Sequence, residues 1–232
     1  MGFFYDQTAN LIRQIYDSRI VGPPVLDAAT HFPSAHKFAG AWREIRDEAE
    51  RVAARLHRVP RFHEIMREQQ AISANDGRDW RLFVLKAYGV EFAECMAACP
   101  RLGTLVATTS DILSASISFM APRKHIPAHR GPFRGIVRFY LGLTVPRHAD
   151  GSLAAVLKIE GTEYRIGGGE WLLWDDTYLH EVLNESDSVR SVLLLDVWRR
   201  DMPFDMNLFS RLLIAAAGTA ARWRGVGSHV QP

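Results

Sequence analysis

Between residues 112 and 198 the chain is a succession of short apolar runs parted by turn residues, and that rhythm restricts the fold more than any other feature. Ile112-Leu-Ser-Ala-Ser-Ile-Ser-Phe-Met alternates apolar with small polar side chains, the period of two of a half-buried strand. Apolar runs follow at 135–145, 154–159, 163–166, 170–174 and 189–198. Arg147-His-Ala-Asp-Gly, Glu160-Gly and Gly167-Gly-Gly stand between them, supplying the residues that let a backbone reverse. Short strands at this spacing predict a β-sandwich or jelly roll and argue against alternating β-α units.

The flanks have a helical period. Over 3–20, Phe4, Leu11, Ile12, Ile15 and Tyr16 recur at near-helical spacing until Gly22-Pro23-Pro24 stops the segment. Asp6, Asp17 and only two arginines favour a helix packed on the domain, with peripheral membrane contact as the alternative. Residues 38–58 give the clearest helix, with Trp42, Ile45, Ala49, Val52 and Leu56 on one face. Less regular helical stretches are expected over 60–72 and 91–107, and the tail 204–222 reads as helix again. The expectation is one domain over 1–232. A mostly helical region, 1–110, packs on a β core at 111–200, and a helix and tail follow at 201–232.

Composition narrows the class. A chain of 232 residues buries roughly 70% of its unfolded surface, so it needs no crosslinks, and Cys95 and Cys99 read as buried free thiols. A formal charge of +2 without a Lys/Arg run argues against a nucleic-acid partner. No secretory leader is read, and no apolar run approaches the roughly 20 residues that span a bilayer, so a cytoplasmic protein is expected.

The candidate chemistry lies in His129, in His125-Ile-Pro-Ala-His129-Arg-Gly-Pro, and in His180, after Trp171-Leu-Leu-Trp-Asp-Asp-Thr-Tyr. Two imidazoles carried by different strands can converge at a barrel mouth, and their nitrogens suit iron, copper, nickel or zinc. A non-haem iron oxygenase usually adds a carboxylate two residues after the first histidine, but Gly131 stands there. Water, or a distant acid such as Asp150, Asp175 or Asp176, is left to complete the set. His125 is read as a neighbour, because i, i+4 rings meet only on a helix and Pro127 opposes one. His31, His36, His57, His63, His148 and His229 show no partner pattern. Arg190 and Arg138 interrupt otherwise apolar strands, and a buried guanidinium needs an anion, from a salt bridge or from a ligand carboxylate.

These motifs carry a resemblance over roughly 40–200. Trp42-Arg-Glu-Ile-Arg-Asp-Glu, Ser118-Phe-Met-Ala-Pro, His129-Arg-Gly-Pro, Arg138-Phe-Tyr-Leu-Gly-Leu, Asp175-Asp-Thr-Tyr-Leu-His-Glu-Val and Arg190 to Asp196-Val-Trp occur in order with matching gaps. The chain resembles the aspartyl/asparaginyl β-hydroxylase family of iron(II) and 2-oxoglutarate dioxygenases, which also holds bacterial lipid A and ornithine-lipid acyl hydroxylases. The resemblance implies a double-stranded β-helix, a cupin-like jelly roll with flanking helices, and a hydroxylase using O2. It implies iron(II) on His129 and His180, with water completing the coordination at Gly131. It places the distal carboxylate of 2-oxoglutarate on Arg190 and Ser118, the near carboxylate on Arg138, and Met120 in the pocket wall.

Two positions depart from the family pattern. Tyr140 replaces a histidine of the cosubstrate strand, and Ile136 replaces an arginine that meets substrate in the aspartyl hydroxylase. The substrate expected first is an amino-acid or peptide side chain. A lipid acyl chain is the alternative, a free small metabolite is a further option, and a non-catalytic cupin-like metal-binding module is the contrasting class. The sequence carries no signal for an oligomeric state.

Overall fold

The computed structural model describes the backbone of residues 2–223 and the side chains of 7–219, so the side chains of Phe4 and His229 lie outside the described residues. Ten strands are described: β1 (Trp80–Ala87), β2 (Val90–Glu91), β3 (Ile112–Met120), β4 (His125–His129), β5 (Ile136–Thr144), β6 (Ala155–Ile159), β7 (Thr162–Tyr164), β8 (Trp171–Trp174), β9 (His180–Asn184) and β10 (Arg190–Trp198). They form two antiparallel sheets, one ordered β2-β1-β3-β10-β5-β8 and the other β4-β9-β6-β7. From β3 to β10 the chain passes back and forth between the sheets, which is the double-stranded β-helix expected.

The helices are α1 (Gly2–Asp17), α2 (Ala28–His31), α3 (Ala35–Gly40), α4 (Trp42–Ala53), α5 (Phe62–Ile65), α6 (Gln70–Ser73), α7 (Ala93–Ala98), α8 (Pro100–Ala107) and α9 (Phe204–Trp223). Phe38 of α3, Ile45 of α4 and Leu102 of α8 pack on the outer face of the six-stranded sheet, against Phe119, Phe139 and Leu195. That sheet is covered on both faces, so β5 and β10 carry near-continuous apolar runs instead of a clean alternation. Among the described residues no helix is long and apolar enough to cross a membrane.

Several elements differ from the sequence reading. β1 extends the larger sheet from within the region expected to be mostly helical, because Trp80, Leu82 and Val84 face one way and Phe83 and Leu85 the other, and both faces are covered. β4 and β9 are short and interrupted by Pro127 and by polar residues, so neither has the period of a strand. The 91–107 helix is broken at Cys99 because the residue before a proline is kept out of the helical region. The new N-terminus of α8 is capped by buried Glu48, which accepts from Arg101 N at 2.7 Å and Leu102 N at 3.0 Å. Cys95 and Cys99 are both free and buried, and burial pushes their thiols up to about 11 and about 12.

Candidate metal centre and cosubstrate pocket

His129 ends β4, His180 begins β9, and the register sets them directly opposite each other. The pairing is irregular between Ile126 and His129, and this re-aims the end of β4. The ring centroids lie 4.1 Å apart with the planes at 55°. Each ring is held by the same local device: His129 Nδ1 lies 2.8 Å from the Pro127 carbonyl, and His180 Nδ1 lies 2.8 Å from that of Tyr178. A carbonyl can only accept, so each Nδ1 carries the proton and each Nε2 keeps a lone pair, the form in which imidazole binds a metal. Burial pulls both imidazoles below the ordinary histidine range, and for His180 the neighbouring His129 adds to it.

This depression sets a pH signature. Groups whose folded-state pKa lies below the unfolded value contribute stability above the unfolded value, about 6.5, and lose it as pH falls through the folded one. Urea midpoints of the metal-free protein are therefore expected to fall from pH 7 to pH 5.5, with a shallower fall in His129→Ala/His180→Ala. Equal slopes for the two proteins would contradict neutral, buried rings.

The residues expected to hold a cosubstrate meet by register. Met120 pairs with Arg190, Ser118 with Val192 and Arg138 with Asp196, and the partners of each pair share the face turned toward the smaller sheet. Tyr140, opposite Leu194, lies on that face as well. Arg190 is only 2% exposed, yet among the described residues its Nε and Nη1 have no hydrogen-bond partner. The Tyr140 ring stands 5.5 Å from the guanidinium carbon. Ser118 is buried and accepts from Trp80 Nε1 at 3.0 Å. Burial raises the Tyr140 phenol, which remains a neutral donor.

Arg138 differs from the expectation of a cation waiting for a carboxylate. Its Nη1 lies 2.9 Å from Asp176 and its Nε 2.9 Å from Asp196. Burial works against its charge, but Asp196 and Asp176 outweigh burial and hold it charged. Asp176 also answers for Gly131. A Cβ built on Gly131 would sit 2.6 Å from the Asp176 carboxyl carbon, and Gly131 N donates to the Asp176 carbonyl at 2.7 Å. The acid that resides elsewhere in the sequence thus fills the volume that a side chain at 131 would take. Burial pushes its carboxyl up to about 6, with Arg138 pulling the other way.

The other candidate acids are engaged elsewhere. Asp175 pairs with Arg134 and Arg199, and Asp150 accepts from Ser152 in an exposed turn. Among the described residues no three His, Cys, Asp or Glu side chains converge as a metal site, so the protein offers two imidazoles and a nearby carboxyl. His125 Nε2 lies 2.8 Å from the Glu181 carboxylate.

The profile of the aspartyl/asparaginyl β-hydroxylase family matches residues 39–200, which include every residue of this site. The chain belongs to the aspartyl/asparaginyl β-hydroxylase family. An ornithine lipid ester-linked acyl 2-hydroxylase of Rhizobium tropici is 35% identical over 179 residues, covering 77% of this chain and 62% of that protein. The human aspartyl/asparaginyl β-hydroxylase is 26% identical over 136 residues, covering 53% of this chain and 16% of that protein. The chain thus spans less than two thirds of either relative. Solved structures resemble it weakly: a DMSP lyase from Ruegeria pomeroyi aligns at TM-score 0.35 and 20% identity, covering 55% of this chain and 50% of that one.

Two participants in this site escaped the sequence reading, whereas Asp176 was among the acids it offered. Asp196 is one, an acid in an apolar strand that braces Arg138. The other is Trp174, whose buried Nε1 has no partner among the described residues and whose ring stands edge-on to His180 at 4.6 Å. A tryptophan inside an apolar run gives no signal that its N–H is free.

Proposed function

We propose that the chain is an iron(II) and 2-oxoglutarate dioxygenase that hydroxylates an unactivated C–H bond, and that its substrate is the acyl chain of a lipid. The observation that carries this reading is Arg190, a buried guanidinium with two unpartnered nitrogens facing the interior into which His129 and His180 project. A cation left so is costly unless an anion arrives, and a dicarboxylate spanning from Arg190 toward the histidines meets that need. The donors fit iron: two neutral imidazoles with free Nε2, and a carboxyl beside them to hold water. Iron with 2-oxoglutarate, when bound, would supply the oxidising chemistry that inserts oxygen from O2 into the C–H bond.

The chain's own residues have separate tasks. His129 and His180 hold the metal, and Arg190 with Ser118 orients the distal carboxylate. Met120 and Tyr140 close the wall and keep water away. Arg138, braced by Asp196, holds the Asp176 carboxyl in the space beside Gly131, which replaces the expected role of Arg138 as a free carboxylate anchor. Two facts favour an acyl chain over an amino-acid side chain: the 35% identical relative bears the name of an acyl hydroxylase, and buried Ile136 stands where the aspartyl hydroxylase has an arginine. A purely structural metal module has no use for an unpaired Arg190.

The test is anaerobic addition of iron(II) and 2-oxoglutarate, followed by oxygen with acyl lipids and peptides in separate arms. A visible metal-to-cosubstrate band, and succinate formed with the lipid arm, are expected. Absence of the band would reject the enzyme class, and succinate with peptides alone would reject the lipid. His180→Ala is expected to abolish the band and to lower turnover by about 10³-fold or more, judged against the ordinary range for loss of a metal ligand and its tuning. Retention of the band would remove His180 from the metal.

A further inference from the structure

Away from the metal centre, a cleft of about 640 Å³ opens between the 57–70 segment and the start of β1. Four arginines line it, Arg58, Arg61, Arg67 and Arg81, together with His57 and His63 and one carboxylate, Glu64. Arg81 pairs with Phe119 in the register and Trp80 with Met120, so the cleft and the cosubstrate pocket lie on opposite faces of β1. Phe62 stacks on Trp80 at 3.9 Å, which ties the cleft wall to the Trp80–Ser118 hydrogen bond inside.

The cations are set by local chemistry that leaves charge uncompensated. Asp79, behind the cleft, takes Arg61 Nε at 3.1 Å and Arg81 Nη2 at 2.7 Å, and Arg81 Nη1 donates to the Val59 carbonyl. Glu64 turns back to accept from Arg61 N at 2.7 Å. His63 is oriented by Ser73 Oγ at 3.1 Å. Arg67 has no partner among the described residues. Cationic side chains thus outnumber the one carboxylate that lines the cleft, Glu64, and Arg67 adds a charge that no described acid meets. Positive groups gathered around a concavity focus their potential into it, and arginine forks match the oxygens of a phosphate.

We propose that this cleft is a binding site for a phosphate group, distinct from the metal centre. The group belongs either to a lipid headgroup or to free phosphate, and both present the same oxygens to the arginines. The site does not depend on the hydroxylase reading, since its binding is measured without iron, 2-oxoglutarate or turnover.

The test uses the full chain at low salt. Inorganic phosphate is titrated by calorimetry, and sedimentation is followed with phosphatidylcholine vesicles with and without phosphatidic acid. Arg67→Glu is expected to weaken binding at least tenfold, while Arg43→Glu, the same charge change on α4 outside the cleft, shifts it by less than about twofold. Circular dichroism with unchanged thermal melting keeps a loss of binding from being a loss of fold. Binding of phosphatidic acid vesicles without binding of inorganic phosphate, lost in Arg67→Glu, assigns the headgroup, and binding of both assigns the phosphate alone. Failure of both probes to bind, or equal weakening by Arg43→Glu, would overturn the proposal.

Discussion

Replacing Arg190 by methionine is expected to stabilise the ligand-free protein and to destroy its response to 2-oxoglutarate. The two effects share one cause. Among the described residues the buried guanidinium has no partner for Nε and Nη1, and the Tyr140 ring stands 5.5 Å from its carbon. A cation–π contact is worth about 0.5–2 kcal/mol, whereas replacing buried charge by a well-packed apolar side chain often gains about 1–4 kcal/mol, so the net change favours methionine. With a dicarboxylate bound the balance reverses, because removing one partner of a buried charge pair costs about 3–5 kcal/mol, roughly 10²- to 4 × 10³-fold in affinity. The half-saturating 2-oxoglutarate concentration should rise by that factor, while iron affinity stays within about twofold because neither imidazole touches Arg190. Melting with and without 2-oxoglutarate checks this. At 100 times its Kd the cosubstrate stabilises the wild type by about 2.7 kcal/mol and should stabilise Arg190→Met by no more than about 0.4 kcal/mol. A variant that melts lower without added 2-oxoglutarate, or that keeps its response, would show that the cation serves the fold and not a ligand.

What could be read from the residues, and what could not, follows from the range of each interaction. The jelly roll was legible because β3, β5 and β10 state their burial locally, in period-two or fully apolar runs. Arg190 was legible for the same reason, since a charge inside Val189-Arg-Ser-Val-Leu-Leu-Leu is an anomaly visible without coordinates. β4 and β9 were not legible as strands. They are short, Pro127 interrupts one, and their pairing is imposed by the rest of the barrel. β1 was passed over because it lies within the helical third of the chain and its strand pattern makes sense only beside β3. The partners of Arg138 were not legible for a related reason. Its two acids come from 38 and 58 residues further along the chain, so nothing near Arg138 announces that its charge is already met.

The arrangement of Gly131 and Asp176 yields the sharpest expectation, because it converts a sequence anomaly into a steric one. Gly131→Asp would restore the carboxylate usual at that place, but its Cβ would meet the Asp176 carboxyl carbon at 2.6 Å and one oxygen at 2.8 Å. Asp176 cannot retreat freely, since Arg138 holds it at 2.9 Å and Gly131 N is bonded to its carbonyl at 2.7 Å. Overpacking of this kind costs about 1–3 kcal/mol, and a second buried carboxylate adds to that, so Gly131→Asp alone should be strongly destabilised and bind iron poorly. Asp176→Ala alone should be milder: it removes one of two anions from Arg138, leaves Asp196 in place, and opens the volume beside Gly131. The double variant Gly131→Asp/Asp176→Ala then has both the room and a partner for the new acid in Arg138. It is expected to recover most of the stability lost in Gly131→Asp, with a coupling of about 1–3 kcal/mol between the two sites. Urea melts of the four proteins give that coupling directly, and iron titrations show whether a carboxylate presented from 131 becomes a third ligand. Additive destabilisation would mean that Gly131 is glycine for some reason other than the carboxyl beside it.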